Sequence, residues 1–152
     1  MDFATKVAYT TEQEEFCQEL RAFFREHGNV PKQFVRPREL GDMSRELYEW
    51  VRNFRRKLGQ KGWLAPLWPK EYGGAELSTD LAQVLSEELS KADVPMVYDN
   101  RLAAPAIMVW GTEEQKGNFL PLINRGEVIT WQAFSEPDVG SDAASIKTTA
   151  IQ

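Results

Sequence analysis

Apolar residues recur at helical spacing in the segment TEQEEFCQELRAFFREHG, which begins at Thr11. Its apolar face comprises Phe16, Leu20, Phe23 and Phe24. Thr11 and Glu14 have the spacing of a capping box, and Gly28 follows the last periodic residue as a stop signal. The pattern therefore predicts an amphipathic helix between Thr11 and Gly28.

Four further segments predict helices. SRELYEWVRNFRRKLGQKG predicts a helix that ends by Gly62, and STDLAQVLSEELSKADVP predicts one that ends before Pro95. TEEQKGNFLPLINRG opens with a second capping-box pair, Thr112 and Gln115. NRLAAPAIMVWG is apolar nearly all round, which predicts a helix buried on every side. Apolar residues recur at helical spacing in these segments, and from that spacing we expect four of them to be buried: Trp50, Phe54, Leu85 and Ile107.

The character of the chain changes after Gly126. Before it, the link WLAPLWPKEYGGAEL is a loop with enough aromatic area to pack back onto the helices. After it, β-branched and aromatic residues predict strands at 128–134 and 146–151, the second with an unpaired edge. We therefore predict a mainly α chain, with a helical domain at 1–126 and the start of a β-domain at 127–152.

Composition narrows the class of protein. With 152 residues and 42% hydrophobic content the chain can bury one core. A net charge of −5 argues against a nucleic-acid binder, which needs a basic face. Cys17 is the single cysteine, which predicts no disulfide, no thiolate metal site and a packed side chain. No apolar run has the length of a signal peptide or a membrane span, so we expect a cytoplasmic protein.

Several titratable side chains are candidates for a general base. Glu87 and Glu88 follow each other on a helix with a charged outer face, which favours a solvated position for both. Glu136 precedes a proline, which favours a structural role in a loop, and Glu71 lies in the aromatic link. His27 stands in the last turn of its helix, where a charged imidazole interacts favourably with the dipole. We assign no catalysis to these residues.

The segment FSEPDVGSD places small, hydroxylic and acidic residues between two strand-like stretches. Ser135, Gly140 and Ser141 could present hydroxyls and backbone N–H groups to a polar or phosphorylated ligand. Gly140 also permits backbone angles and a close approach that other residues do not. The alternative is a hairpin loop whose Asp and Ser side chains bind their own backbone, and the residues alone favour that alternative.

A resemblance to a known family reverses that preference. WQAFSEPDVGSDAASIKTTA resembles a signature of the acyl-CoA dehydrogenases, and GWLAPLWPKEYGG and GTEEQKGNFLPLINRGE resemble two other motifs of that family, in the family's order. The resemblance implies an N-terminal helical bundle domain followed by a β-domain and a C-terminal helical bundle, with FAD bound between the last two. It places the catalytic glutamate in the C-terminal bundle, so no catalytic residue is assigned in this chain.

The same resemblance implies site residues. The cofactor-binding candidates are Gln132, Ala133, Phe134, Ser135, Gly140 and Ser141. In the family the first two positions border the flavin, the middle two lie at its pyrimidine end, and the last two lie by the FAD pyrophosphate and the acyl-CoA entrance. Arg101 and Ser141 are the substrate-binding candidates, because the segment from Tyr98 to Arg101 borders the acyl cavity in the family. The alternative for the segment from Tyr98 to Arg101 is that its polar side chains cap and solvate the helix that follows it.

The resemblance implies an FAD-dependent α,β-dehydrogenation of an acyl-CoA thioester, with electron-transfer flavoprotein or a similar acceptor as partner and an oligomeric full-length protein. We expect this sequence to be the N-terminal portion of such an enzyme, cut inside the β-domain and inactive alone. Two alternatives stay open. One is a non-catalytic helical assembly subunit of the same fold, and the other is an enzyme of the acyl-CoA oxidase type.

Overall fold

The computed structural model describes residues 8–34, 43–94, 102–131, 135–149 and 151. Within these residues the chain forms five α-helices, in the number and order that the sequence predicts. They are α1 (Thr11–His27), α2 (Arg45–Gln60), α3 (Thr79–Ala92), α4 (Ala103–Trp110) and α5 (Glu113–Asn124). Short 3₁₀ turns occur at Lys70–Tyr72 and Ala143–Ser145. The mainly helical fold is therefore confirmed.

Hydroxyl side chains begin four of the five helices, namely Thr10, Ser44, Ser78 and Thr112. The predicted box at Thr112 and Gln115 is confirmed. The predicted box of α1 is wrong by one residue, because Thr10 is the residue with extended backbone angles, φ −71° and ψ 165°. Thr10 Oγ1 accepts from the Gln13 amide at 3.2 Å, and Gln13 Oε1 accepts from the Thr10 amide at 2.9 Å. Both Thr10 and Thr11 are followed three residues later by a Gln or Glu, so the local sequence permits a box at either one. In the structure the box forms at Thr10.

The main core lies among α1, α2 and α3. Leu20, Phe54, Leu58 and Leu85 are buried there, which confirms the prediction for Phe54 and Leu85. Trp50 is only half-buried, and its ring stacks on Phe54 with centroids 5.5 Å apart. The prediction of a buried Trp50 is wrong because the indole packs at the edges of two clusters, this one and a smaller one around Leu47 and Val51, and neither covers it completely.

The link between α2 and α3 packs onto this core, as its aromatic content predicts. Trp63 is 5% exposed, and its ring meets Phe16 and Phe23 edge-on at 5.8 and 5.0 Å. The link folds on itself so tightly that a Cβ on Gly74 would lie 2.1 Å from the Trp68 carbonyl oxygen. Only glycine fits at that position without moving the backbone.

A second cluster forms between α4, α5 and the 3₁₀ turn of the link. Ala104 and Leu120 are buried in it, and the Asn124 side-chain amide donates to the Tyr72 carbonyl at 2.9 Å. The prediction that α4 is buried on every side is wrong, since Trp110 is 87% exposed and Ile107 is only half-buried. The reason is that α4 packs against α5 and leaves its opposite face open.

Close backbone contact joins α2 to the end of α5. A Cβ on Gly59, in the last turn of α2, would lie 2.2 Å from the Arg125 carbonyl oxygen, just past α5. Gly126 adopts a left-handed φ of +70° beside this contact, and Arg52 donates to the Glu127 carbonyl at 2.8 Å. The end of α5 is therefore held directly against α2.

The described residues contain no β-strand. Residues 128–131 and 146–149 are not in strands, and within the described residues the single β-bridge pairs Glu136 with Val139. Residues 132–134 of the first predicted strand lie outside the described residues. A strand needs a neighbour for its N–H and C=O groups. The predicted β-domain from residue 127 onward therefore stays a prediction.

The prediction that Glu88 is solvated on the outer face of α3 is wrong. Its side chain is 4% exposed and lies between α1 and α3. Its carboxylate accepts from Arg21 Nε at 2.9 Å, from Arg21 Nη2 at 3.0 Å and from Lys91 Nζ at 2.7 Å. These hydrogen bonds, chiefly that of Arg21, lower the pKa of Glu88 from 4.5 to about 2 although burial opposes the shift. The neighbouring Glu87 is partly exposed and accepts from the Tyr9 hydroxyl.

We expect this buried carboxylate to make stability depend on pH. Since the pKa of Glu88 is lower in the folded state, its contribution is complete above its unfolded pKa and is lost as pH falls toward 2. The loss amounts to about 3 kcal/mol at most, from the linkage between pKa shift and free energy. Glu88→Gln should lower the unfolding free energy at neutral pH and flatten the decline in acid. Urea titrations at several pH values measure both effects.

Glu113→Gln is the matched control, because the Glu113 side chain is 80% exposed although it also pairs with a lysine, Lys116, three residues along its helix. An ion pair whose carboxylate is in solvent contributes under about 1 kcal/mol. A Glu88→Gln profile with the same acid slope as the wild type would contradict the assignment.

Candidate functional site

The motif SEPDVGSD forms a tight exposed turn. The Glu136 amide donates to the Val139 carbonyl at 3.0 Å, and the Val139 amide donates back to the Glu136 carbonyl at 3.1 Å. Val139 is buried, and it is the only buried residue among residues 135–149. The turn is therefore anchored by one apolar side chain and presents its other side chains to solvent.

The Glu136 carboxylate spans this loop. Its oxygens accept from the Lys147 amide at 3.0 and 3.1 Å, from the Thr148 amide at 2.6 Å and from Thr148 Oγ1 at 2.5 Å. The Thr148 hydroxyl, followed by the Lys147 and Thr148 amides, lowers the pKa of Glu136. The structural role that the sequence predicts for Glu136 is confirmed, whereas no local pattern indicated partners eleven and twelve residues away.

The far side of the loop is closed by Asp142. The Ser145 amide donates to the Asp142 carbonyl at 3.1 Å, and the Ser145 hydroxyl donates to the Asp142 carboxylate. Side chains of the loop thus satisfy one another and the backbone, as the hairpin alternative expects. This ordering is compatible with a binding role, because a loop held by its flanks leaves its tip available.

The three described flavin-site candidates, Ser135, Gly140 and Ser141, are exposed on this loop. Gly140 does not adopt a left-handed φ, so it does not use the backbone angles that only glycine permits. Nothing lies within 4 Å of a Cβ built on Gly140, which leaves space for another group to approach the backbone. Hydroxyls at Ser135 and Ser141 beside this open glycine fit the approach of a phosphate or other polar ligand.

The other candidates for the cofactor and substrate sites lie outside the loop at 135–149. Gln132, Ala133 and Phe134 lie outside the described residues, as do the substrate candidate Arg101 and the segment before it. Trp131, which directly precedes them, is exposed. The structure therefore brings together half of the predicted cofactor set.

The other candidates have structural surroundings. Cys17 is packed in the main core, as the sequence predicts, and burial together with the Glu88 carboxylate raises the pKa of its thiol. His27 at the end of α1 has its Nδ1 3.0 Å from Lys57 Nζ, and its ring lies edge-on against Phe23. Cys17 is thus a side chain of the core, and His27 is held at the end of α1 by Lys57 and Phe23.

Within the described residues, no group of three or more histidine, cysteine, aspartate or glutamate side chains is placed to hold a metal ion. None of the helices in the same residues is both long enough and apolar enough to cross a bilayer.

Comparison with known proteins agrees with this fold. Residues 10–127 match the family model described as "Acyl-CoA dehydrogenase, N-terminal domain". The chain is 36% identical over 154 aligned positions to acyl-CoA dehydrogenase FadE26 of Mycobacterium tuberculosis, covering 97% of this chain and 36% of that protein. The match covers most of this chain, so the chain belongs to the acyl-CoA dehydrogenase family.

Two solved structures share the fold. The ChsE4–ChsE5 complex of M. tuberculosis aligns with a TM-score of 0.64 and 32% identity, over 97% of this chain and 37% of that one. A structure described as the Tcur3481–Tcur3483 steroid ACAD gives a TM-score of 0.64 and 32% identity, over 100% of this chain and 38% of that one. The chain thus spans little more than a third of the length of the relatives that it matches.

Proposed function

We propose that this chain is the N-terminal helical portion of an FAD-dependent acyl-CoA dehydrogenase and contributes one wall of its flavin site. The observation that carries the proposal is the exposed loop at Gly140, which follows directly on a helical body matched to the family's N-terminal domain. Bound FAD would supply the hydride acceptor for α,β-dehydrogenation of an acyl-CoA thioester.

The chain's own residues have binding roles in this proposal. The Ser135 hydroxyl and the Gly140 and Ser141 backbone N–H groups orient the cofactor by hydrogen bonds. Gln132, Ala133 and Phe134 border the flavin ring, and Arg101 with Ser141 contacts the acyl-CoA. These assignments follow the family motif, and the exposure of the three described members supports them.

Exposed apolar side chains support a function inside a larger assembly. Seven large apolar side chains are exposed on α4 and its N-cap, on α5 and on the segment after α5, namely Leu102, Val109, Trp110, Phe119, Leu122, Val128 and Trp131. Exposed apolar area of this extent is typical of surfaces that contact another part of a protein. In the proposed enzyme, the remaining parts of the family fold cover these side chains. The solved structures of complexes among the relatives support an oligomeric enzyme. The proposal also includes a cytoplasmic location and an electron-transfer flavoprotein as the electron acceptor.

A chimera tests the activity. We would replace the part of FadE26 that this chain matches by residues 10–152, and express FadE26 in parallel. The proposal expects the chimera to retain flavin, and expects the flavin absorbance to bleach when an acyl-CoA is added, with straight-chain and steroid thioesters compared. A chimera that folds and binds flavin but is not reduced by any thioester would favour the non-catalytic assembly subunit.

The chain by itself should not retain FAD in a one-to-one ratio. The loop offers its contacts on an open surface, so binding buries little of the ligand and must offset the lost freedom of both partners. Flavin absorbance measured after purification of the 152-residue protein gives the ratio directly. A full flavin complement would show that the chain completes the site alone or by self-association.

A further inference from the structure

The carboxylate of Glu136 is unusual for an exposed loop because it accepts from three donors at once. Two are consecutive backbone amides, of Lys147 and Thr148, and the third is the Thr148 hydroxyl. All three donors lie on the same short segment, eleven or twelve residues along the chain from Glu136. The carboxylate therefore closes residues 136–148 into a ring by side-chain contact alone.

Hydrogen bonds hold both sides of this ring, and its tip at Gly140 is open. On the Glu136 side, the two hydrogen bonds between Glu136 and Val139 fix the turn that leads to Gly140. On the other side, the Asp142 and Ser145 contacts fix the return. Gly140 and Ser141 lie between the two, where the structure shows open space beside the glycine. The Glu136 bridge therefore lies at the base of the loop that carries Gly140 and Ser141.

This arrangement disfavours a role for Glu136 as a proton acceptor. A carboxylate that is held by several donors is a weaker base, and each donor would be left without its acceptor if the carboxylate turned toward a substrate. The chemistry that remains for this side chain is positioning.

We propose that Glu136 is a positioning residue, whose carboxylate bridges to Lys147 and Thr148 and so holds the Gly140–Ser141 tip in its ligand-accepting arrangement. The inference rests on the proposed function for the identity of the ligand, FAD. The bridge itself is a property of this chain and is tested without any ligand.

Amide hydrogen exchange of the 152-residue chain tests the bridge. Glu136→Ala should speed exchange at the Lys147 and Thr148 amides by about tenfold or more, because both lose a charged acceptor. Glu136→Gln keeps one oxygen acceptor and should have an intermediate effect. Asp138→Ala removes an exposed carboxylate from the same turn and should leave both amides unchanged. Unchanged exchange in Glu136→Ala would overturn the proposal.

A titration with FAD followed by backbone NMR tests the positioning role. In the wild type, FAD should shift the Gly140 and Ser141 amides, and Glu136→Ala should raise the apparent Kd about tenfold. The melting temperature should stay the same, because the loop lies outside the helical cores. Equal FAD affinity in both proteins, or a variant that melts early, would overturn the positioning role. No shift at these amides in the wild type would reject the flavin-site assignment, and the exchange experiment would still decide the bridge.

Discussion

Replacement of Gly59 by alanine is expected to destabilise the protein more than any other single methyl group added to the described helices. The new Cβ would lie 2.2 Å from the carbonyl oxygen and 2.3 Å from the carbonyl carbon of Arg125. Both are backbone atoms, so no side chain can rotate away, and the end of α5 must move off α2. Overpacking of this kind costs about 3 kcal/mol or more. Urea unfolding followed by far-UV circular dichroism measures the loss.

Gly117→Ala is the matched control. Gly117 also lies inside a helix, α5, and nothing is within 4 Å of a Cβ built there. Alanine has the higher helix propensity, so this substitution should raise stability by about 0.5–1 kcal/mol. The two identical substitutions therefore have opposite expected signs. A Gly59→Ala protein as stable as the wild type would contradict the close packing of α2 against the end of α5.

The second large effect is expected at Trp63. Its indole is 5% exposed and is the contact through which the link meets two aromatic rings of α1, Phe16 and Phe23. Trp63→Ala removes the largest side chain of the main core and leaves a cavity between the helices and the link. Substitutions of this type cost about 3–5 kcal/mol. Calorimetry or urea titration should show the loss as an early, less cooperative transition.

Trp110→Ala is the control for Trp63. The same atoms are removed, but Trp110 is 87% exposed at the end of α4. We expect a change within about 0.5 kcal/mol in the isolated chain, as for other surface substitutions. A large loss of stability at Trp110 would mean that this side chain is already covered, for instance by a second copy of the chain.

Much of the helical fold was predictable because its signals are local. The apolar stripe of α2 and the hydroxyl caps at Ser44 and Ser78 lie within a few residues of the structure that they specify. The aromatic link was also predictable in outcome, because so much apolar surface must be buried somewhere. The candidate loop was found by its resemblance to a family signature, since small and acidic residues alone do not distinguish a binding loop from an ordinary turn.

The errors concern contacts between distant parts of the chain. Glu88 follows the charged pattern of α3, yet Arg21 of α1 reaches it and makes its burial possible. The apolar composition of α4 predicts a helix covered on all sides, yet α5 and the link cover one side only. In both cases the local sequence is compatible with more than one environment, and the segments that pack against it determine which environment it has.

The sequence by itself determined the five helices, their order, the link that packs against them and the family to which the loop motif belongs, because periodicity, caps and motifs act over short stretches of chain. Only the tertiary structure decided that Gly59 has no room for a methyl group, that Glu88 is buried between two cations, and that Glu136 reaches Thr148. The physical reason is that close approach, burial and carboxylate bridges depend on distances between segments far apart in sequence, and helix packing and loop closure set those distances.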